Sequence, residues 1–250
     1  MNLRGWILPV AVTTAGLLAV TSAAQPSAGP SVRRSVTAVE PVVVELFTAQ
    51  GCSGCPDANR VVETLSARPG VIALTYPVDY WDYLGWADTF AKPEFTRRQQ
   101  SYGQALHLRA VSTPQVIIDG RRAASAAREA ELTLAVDEEV ARRDYPPEIE
   151  FRVDGARVGV GSGAVPPGGA DVMAVTYVAG PQVVQVGGGD NRGKVVRHVN
   201  VVRRIIRLGD WTGRPALFDL PTQAQAADES VVVLIQGRTD RRILAAATPN

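Results

Sequence analysis

Cys52 and Cys55 are the two cysteines of the chain, separated only by Ser53 and Gly54. A pair at this spacing can close a disulfide, exchange it with another thiol, or hold a soft metal ion. A bridge across so short a loop removes little entropy from the unfolded chain and therefore adds little stability. Redox exchange is the stronger reading of the pair. Exchange needs a thiolate, and hence a lowered pKa. The spacing also divides the labour: Cys52 acts as the nucleophile, and Cys55, one helical turn on, as the resolving thiol. This predicts an exposed Cys52 and a more buried Cys55.

Metal capture is the rival chemistry. Two cysteines hold Cu(I) well, with or without a histidine. The chain has two histidines, His107 and His198, and neither lies at ligand spacing from the cysteines. A closed zinc site would have to recruit remote residues. No metal site is therefore expected, and copper handling, or non-catalytic binding of a protein partner, stands as the alternative to exchange. A Cys-His hydrolase is weaker still, because a paired second cysteine does not serve that chemistry. No organic cofactor is implied, since the dithiol is itself the redox group.

The segments around the pair must put Cys52 where a thiolate is favoured. Val42-Val43-Val44-Glu45-Leu46-Phe47 reads as a buried parallel strand. After the dithiol, Pro56 suits a first helical turn, and Ala58, Val61, Val62 and Leu65 share one helical face. Pro69-Gly70 ends that helix. Strand, loop and helix together place Cys52 at a helix N-terminus, where the dipole and free N–H groups favour negative charge. A second strand follows over Val71 to Val78, then a polar helix over Pro93 to His107. A third strand over Gln115 to Asp119 ends in an Asp-Gly turn, and an amphipathic helix spans Ala126 to Arg143 with Leu132, Ala135, Val136 and Val140 as its stripe.

Glu45 sits inside the first strand, where a carboxylate is costly unless paired or protonated. Two readings stand open: a buried proton acceptor for Cys55, or a salt-bridged or outward-facing Glu. The aromatic-dense segment Asp79 to Trp86 also has two readings. Asp79, Trp81 and Trp86 either line a groove beside the dithiol, or pack the segment down with its aspartates capping turns.

Pro146-Pro147 marks a change of texture. Beyond it, short alternating or β-branched runs recur at Glu148 to Val153, Arg157 to Val160, Val172 to Val178, Val183 to Val186, Val195 to Leu208 and Ser230 to Gln236. Gly- and Pro-rich turns separate them, the pattern of an antiparallel β-sandwich or barrel. Asp190-Asn191-Arg192-Gly193 reads as a hairpin turn. The fold class expected is an α/β domain over 41–145 followed by a mostly antiparallel, sandwich-like β domain over 146–250.

The N-terminus reads as a secretory signal over 1–24, with Arg4 as its positive region, Ile7 to Val20 as a short apolar stretch and Ser22-Ala23-Ala24 before the cleavage point. Residues 25–40, rich in Pro, Ser and Gly, read as a linker. An exported protein, periplasmic or secreted, is expected, with no stable membrane span after processing. The net charge of +1 argues against a nucleic-acid partner. The partner expected is a thiol or disulfide substrate, protein or small molecule.

Residues 41–143, with the Cys-x-x-Cys between strand and helix, resemble a thioredoxin-fold domain. Only Arg121 to Ser125 is available for that fold's next strand. Thr113-Pro114, just before the third strand, matches the cis-proline that faces the dithiol in such proteins. The resemblance implies substrate docking by Thr113 and Pro114. A closer resemblance rests on Glu45 to Pro56, Val78 to Trp86, Arg98-Gln99, Thr113-Pro114-Gln115, Asp190 to Gly193 and Asn200-Val201-Val202. On these motifs the chain is similar to a family of secreted bacterial thioredoxin-like proteins carrying a domain-of-unknown-function label.

Overall fold

The structure is a computed structural model that describes residues 40–142, 146–152, 155–221 and 228–249. The expected signal segment, all of the linker before Glu40, and the expected element ends at Arg143 and Val153 lie outside the described residues. Among the described residues, no helix is long and apolar enough to cross a membrane.

Strand β1 (Val42–Thr48) is buried along its whole length. It pairs in parallel with β2 (Val71–Pro77) and antiparallel with β3 (Gln115–Ile118). A strand covered on both faces is apolar on both, which explains why Val42, Val43, Val44, Leu46 and Phe47 are all apolar, with Glu45 the exception. Val42, Val44 and Leu46 face helix α1 (Cys55–Ser66) and helix α3 (Glu129–Ala141). Val43 and Phe47 face the other side, where Phe95 and Tyr102 of helix α2 (Pro93–Ala105) pack.

Helix α1 buries Ala58, Val61, Val62 and Leu65, the stripe read from the sequence. In α3 the stripe is shorter than expected. Leu132, Ala135 and Val136 are buried, but Val140 is exposed. The short strand β4 (Arg122–Ala124) pairs with β3 after the turn at Asp119-Gly120.

The remaining strands are β5 (Ile149–Phe151), β6 (Arg157–Val160), β7 (Ala170–Gln185), β8 (Val195–Trp211), β9 (Ala216–Asp219), β10 (Ser230–Gly237) and β11 (Ile243–Ala247). The later strands pack as two facing layers, but the larger layer is not a sheet of its own. Strands β7, β8, β10 and β11 extend the sheet begun by β1, in the order β11-β10-β7-β8-β2-β1-β3-β4. The junction is a parallel pairing of Thr75 with Val201, where the Thr75 hydroxyl donates to the Val199 carbonyl at 2.5 Å. A second sheet, β5-β6-β9, lays Val158 and Val160 against Val172, Ala174, Val233 and Ile235 of the large one. The molecule is thus a mixed α/β fold with a large, mostly antiparallel sheet and a smaller one.

The two runs Val172 to Val178 and Val183 to Val186 belong to the one long strand β7. Gly180-Pro181 between them is a bulge rather than a turn. Its freed N–H is satisfied because Gly180 donates to Asn200 Oδ1 at 2.9 Å.

Candidate functional site

Cys52 and Cys55 are joined by a disulfide with Cα atoms 5.4 Å apart. Helix α1 begins at Cys55, with Gly54 as its cap and Pro56 in the first turn. Cys52 lies in the turn leading in, and the Cys55 N–H donates to the Cys52 carbonyl at 3.2 Å. The expected exposure of Cys52 is not found. Cys52 is 2% exposed and Cys55 0%, while Ser53 and Gly54 between them face solvent. The Thr113 carbonyl oxygen lies 3.6 Å from the Cys52 sulfur, and Tyr80 and Trp81 pack against the same cluster.

The Thr113–Pro114 peptide bond is cis. Pro114 Cδ lies where a Cβ on Gly54 would be 3.6 Å away, so the proline packs on the exposed corner of the dithiol loop. The Tyr80 hydroxyl and Thr113 Oγ1 share a short hydrogen bond. Gln99 of α2 steadies the loop from beneath. Its Nε2 donates to the Ser112 carbonyl at 2.8 Å and to Gln115 Oε1 at 2.9 Å, one residue before and one after Thr113-Pro114.

Glu45 resolves as an ion pair. Arg98 Nε donates to Glu45 Oε1 at 2.8 Å, and the Tyr102 hydroxyl donates to Glu45 Oε2. Arg98 also donates to Gln236 Oε1 at 3.1 Å. Burial, the largest single influence, would favour the neutral form of Arg98, but the Glu45 carboxylate with Tyr102 and Tyr76 together outweigh it and hold the guanidinium charged. Burial and then the Glu45 charge push the Tyr76 hydroxyl well above its ordinary range. Both Glu45 oxygens are engaged, so the carboxylate is a paired structural charge. The proton-acceptor role toward Cys55 gains no contact.

Asp79, Trp81 and Trp86 are half-buried. Asp79 Oδ1 accepts from Thr96 at 2.5 Å. Trp86 Nε1 donates to Gln50 Oε1 at 2.8 Å, and its ring lies against Gly187 and Gly188. Trp81 Cβ sits beside Gly51. Trp86 thus braces the loop before the dithiol and Asp79 ties the segment to α2, whereas the Trp81 Nε1 is buried with no hydrogen-bond partner among the described residues.

The sequence reading missed the residues that hold this loop. The Gln50 N–H donates to Asp88 Oδ2 at 2.7 Å. Burial raises the Asp88 carboxyl above its usual range, against the pull of the Gln50 and Phe90 N–H groups. From the other side, Asn191 Nδ2 donates to the carbonyls of Gln50 and Cys52. The available signals are the motifs Glu45 to Pro56, which contains Gln50, and Asp190 to Gly193, whose Asp190-Asn191 reads as a hairpin turn. It is a turn, but an inward-facing one. His107 is exposed past the end of α2. His198 is buried against Phe90, with ring centroids 5.7 Å apart. Among the described residues, no group of three or more His, Cys, Asp or Glu side chains is placed to hold a metal ion.

Residues 43–236 match the model of a family described as a protein of unknown function, DUF1223. The crystal structure of a protein from Agrobacterium tumefaciens is similar at 30% identity with a TM-score of 0.68, over 83% of this chain and 92% of its own. A structure described as HBP35 of Porphyromonas gingivalis is similar at 13% identity with a TM-score of 0.59, over 84% of this chain and 74% of its own; at that identity the likeness is one of fold. No curated protein matches the chain. With most of its length covered by the family model and by the Agrobacterium relative, the chain belongs to the DUF1223 family.

Proposed function

We propose that the protein is an exported thiol–disulfide oxidoreductase working through Cys52 and Cys55. One observation carries the reading: the disulfide closes at the mouth of α1 with the Thr113 carbonyl 3.6 Å from the Cys52 sulfur and cis-Pro114 packed beside it. The bridge spans three positions, too few for a stabilising cross-link. Its place ahead of α1 favours a thiolate at Cys52 once the bridge is reduced. We read residues 41–142 as thioredoxin-like. The support is the order β2-β1-β3-β4 with α1 and α3 against one face and α2 against the other.

In the exchange, the Cys52 thiolate attacks a substrate disulfide and forms a mixed disulfide, releasing one substrate thiolate. Cys55 then attacks the Cys52 sulfur, closing the internal bridge and releasing the second. The reverse sequence oxidises a substrate dithiol. Because Cys52 is nearly buried, the substrate must enter as an extended chain or a small thiol. Thr113 offers its backbone beside the sulfur for such a chain. Export follows from the N-terminal signal pattern and suits a lasting disulfide.

The test is trapping. Cys55→Ser keeps the attacking thiol and loses the resolving one, so it should accumulate a mixed disulfide with a partner. Cys52→Ser should trap nothing. If neither variant traps a partner while the wild type binds Cu(I) tightly one to one, the copper-handling reading replaces this one.

A further inference from the structure

The carbonyls of Gln50, Gly51 and Cys52 are consecutive, and all three accept hydrogen bonds from one short turn between β7 and β8. Asn191 Nδ2 donates to the Gln50 carbonyl at 2.9 Å and to the Cys52 carbonyl at 2.6 Å. The Asp190 N–H donates to the Gly51 carbonyl at 3.1 Å. Asn191 is wholly buried. Lys194 Nζ donates to its Oδ1 at 3.1 Å, which fixes the amide with its nitrogen toward the loop. Gly189 has φ +66°, and a Cβ there would stand 2.8 Å from the Gly51 Cα, so turn and loop are in direct contact. The hairpin does not need the Asn191 side chain to close. Gly193 N–H donates to the Val186 carbonyl at 2.8 Å, and Val186 N–H to the Lys194 carbonyl at 2.9 Å. Both amide hydrogens of Asn191 are spent on the dithiol loop.

We propose that Asn191 is a positioning residue for the dithiol, holding the Cys52 backbone so that its sulfur stays within reach of Cys55 after the bridge is reduced. This rests on the thiol–disulfide reading above. Reduction by a low-molecular-weight thiol such as glutathione consumes two thiols and yields one external disulfide. Two electrons pass to the cysteine sulfurs with two protons, and the protein S–S bond is replaced by two S–H groups. From then on only the backbone keeps the sulfurs together. A loop whose carbonyls are released gains conformational freedom, and the reduced form collects that gain while the bridged form does not. Removing the clamp therefore favours the dithiol and makes the disulfide easier to reduce.

The test equilibrates the wild type, Asn191→Ala and Lys194→Met with glutathione mixtures of graded ratio, and reads the thiol fraction by acid quench, alkylation and mass. Asn191→Ala should move the equilibrium about tenfold toward the dithiol, equivalent to about 30 mV for a two-electron couple. Lys194→Met, which leaves the amide and removes only its orienting partner, should move it the same way by less. A second readout is the thermal midpoint of each form: in Asn191→Ala the oxidised protein should lose more than the reduced one. A purely structural Asn191 would lower both alike and leave the equilibrium in place. Should Asn191→Ala fail to fold, Lys194→Met decides. A wild-type bridge that glutathione leaves untouched sinks the exchange reading, and the clamp with it. A wild type that exchanges, with the folded variants within about twofold of it, sinks the clamp alone.

Discussion

Glu45 stands in the middle of a fully buried strand, and its charge is answered by Arg98 from α2. The sequence exposes the problem, a carboxylate among valines, but not the answer, because Arg98 lies 53 residues on in a helix that looks merely polar. The pair is buried on both sides, with Arg98 also tied to Gln236. Arg98→Met should cost roughly 3–5 kcal/mol in urea unfolding, because it strands a buried charge. Adding Glu45→Leu should recover much of that loss, since the double variant removes both charges. His198 makes a different statement. It is 1% exposed, and burial lowers its pKa to about 4. An unfolded histidine titrates near 6.5, so the fold favours the neutral ring. That stability is fully present above pH 6.5 and drains as pH falls toward 4, by up to roughly 3 kcal/mol. Carboxylates titrate in the same window, so the measurement is the difference between wild type and His198→Leu. The variant's stability should fall less steeply between pH 6.5 and 4; parallel curves would contradict the assignment.

At the scale of elements, legibility followed periodicity. Helix α1 came through on its apolar stripe at helical spacing, and strand β1 on an apolar run that Glu45 interrupts only once. Strand β11 did not, because Ile243-Leu244-Ala245-Ala246-Ala247 is rich in a helix former and becomes a strand only by pairing with β10. Strand β9 is four residues long and holds its place through β6. The Asp-Gly turn after β3 was read correctly as a turn, yet its demand is tertiary. Asp119 Oδ1 accepts from the Val43 N–H at 2.8 Å, and Gly120, at φ +63°, lies so close to the Arg241 carbonyl that a Cβ would overlap it. Gly120→Ala should therefore cost at least about 1 kcal/mol, by strained backbone and by displacement of the β10–β11 turn. A thermal midpoint equal to the wild type would show that the turn can shift freely.

At the scale of the molecule, the composition change at Pro146-Pro147 is real but does not divide the sheet. The described residues form one compact unit, and strands from both stretches hydrogen-bond across the Thr75–Val201 junction. Nothing local in either strand announces that pairing, because two β-branched runs far apart in the chain carry no mark of their neighbours. The same holds for the site: the cysteines and Thr113-Pro114 were visible as motifs, whereas Gln50, Asp88 and Asn191 become meaningful only once the chain has folded back on itself. The later strands thus supply part of the dithiol loop's support. The Cys52–Cys55 bridge is proposed above to open and close as working chemistry. The most direct test is the thiol count of the wild type equilibrated with glutathione at graded ratios. Cys52 and Cys55 should reduce together, the ratio of dithiol to disulfide following the square of reduced glutathione over oxidised, as a two-electron couple requires. A bridge that stays closed at every ratio in the folded protein, or cysteines that open independently, would contradict it.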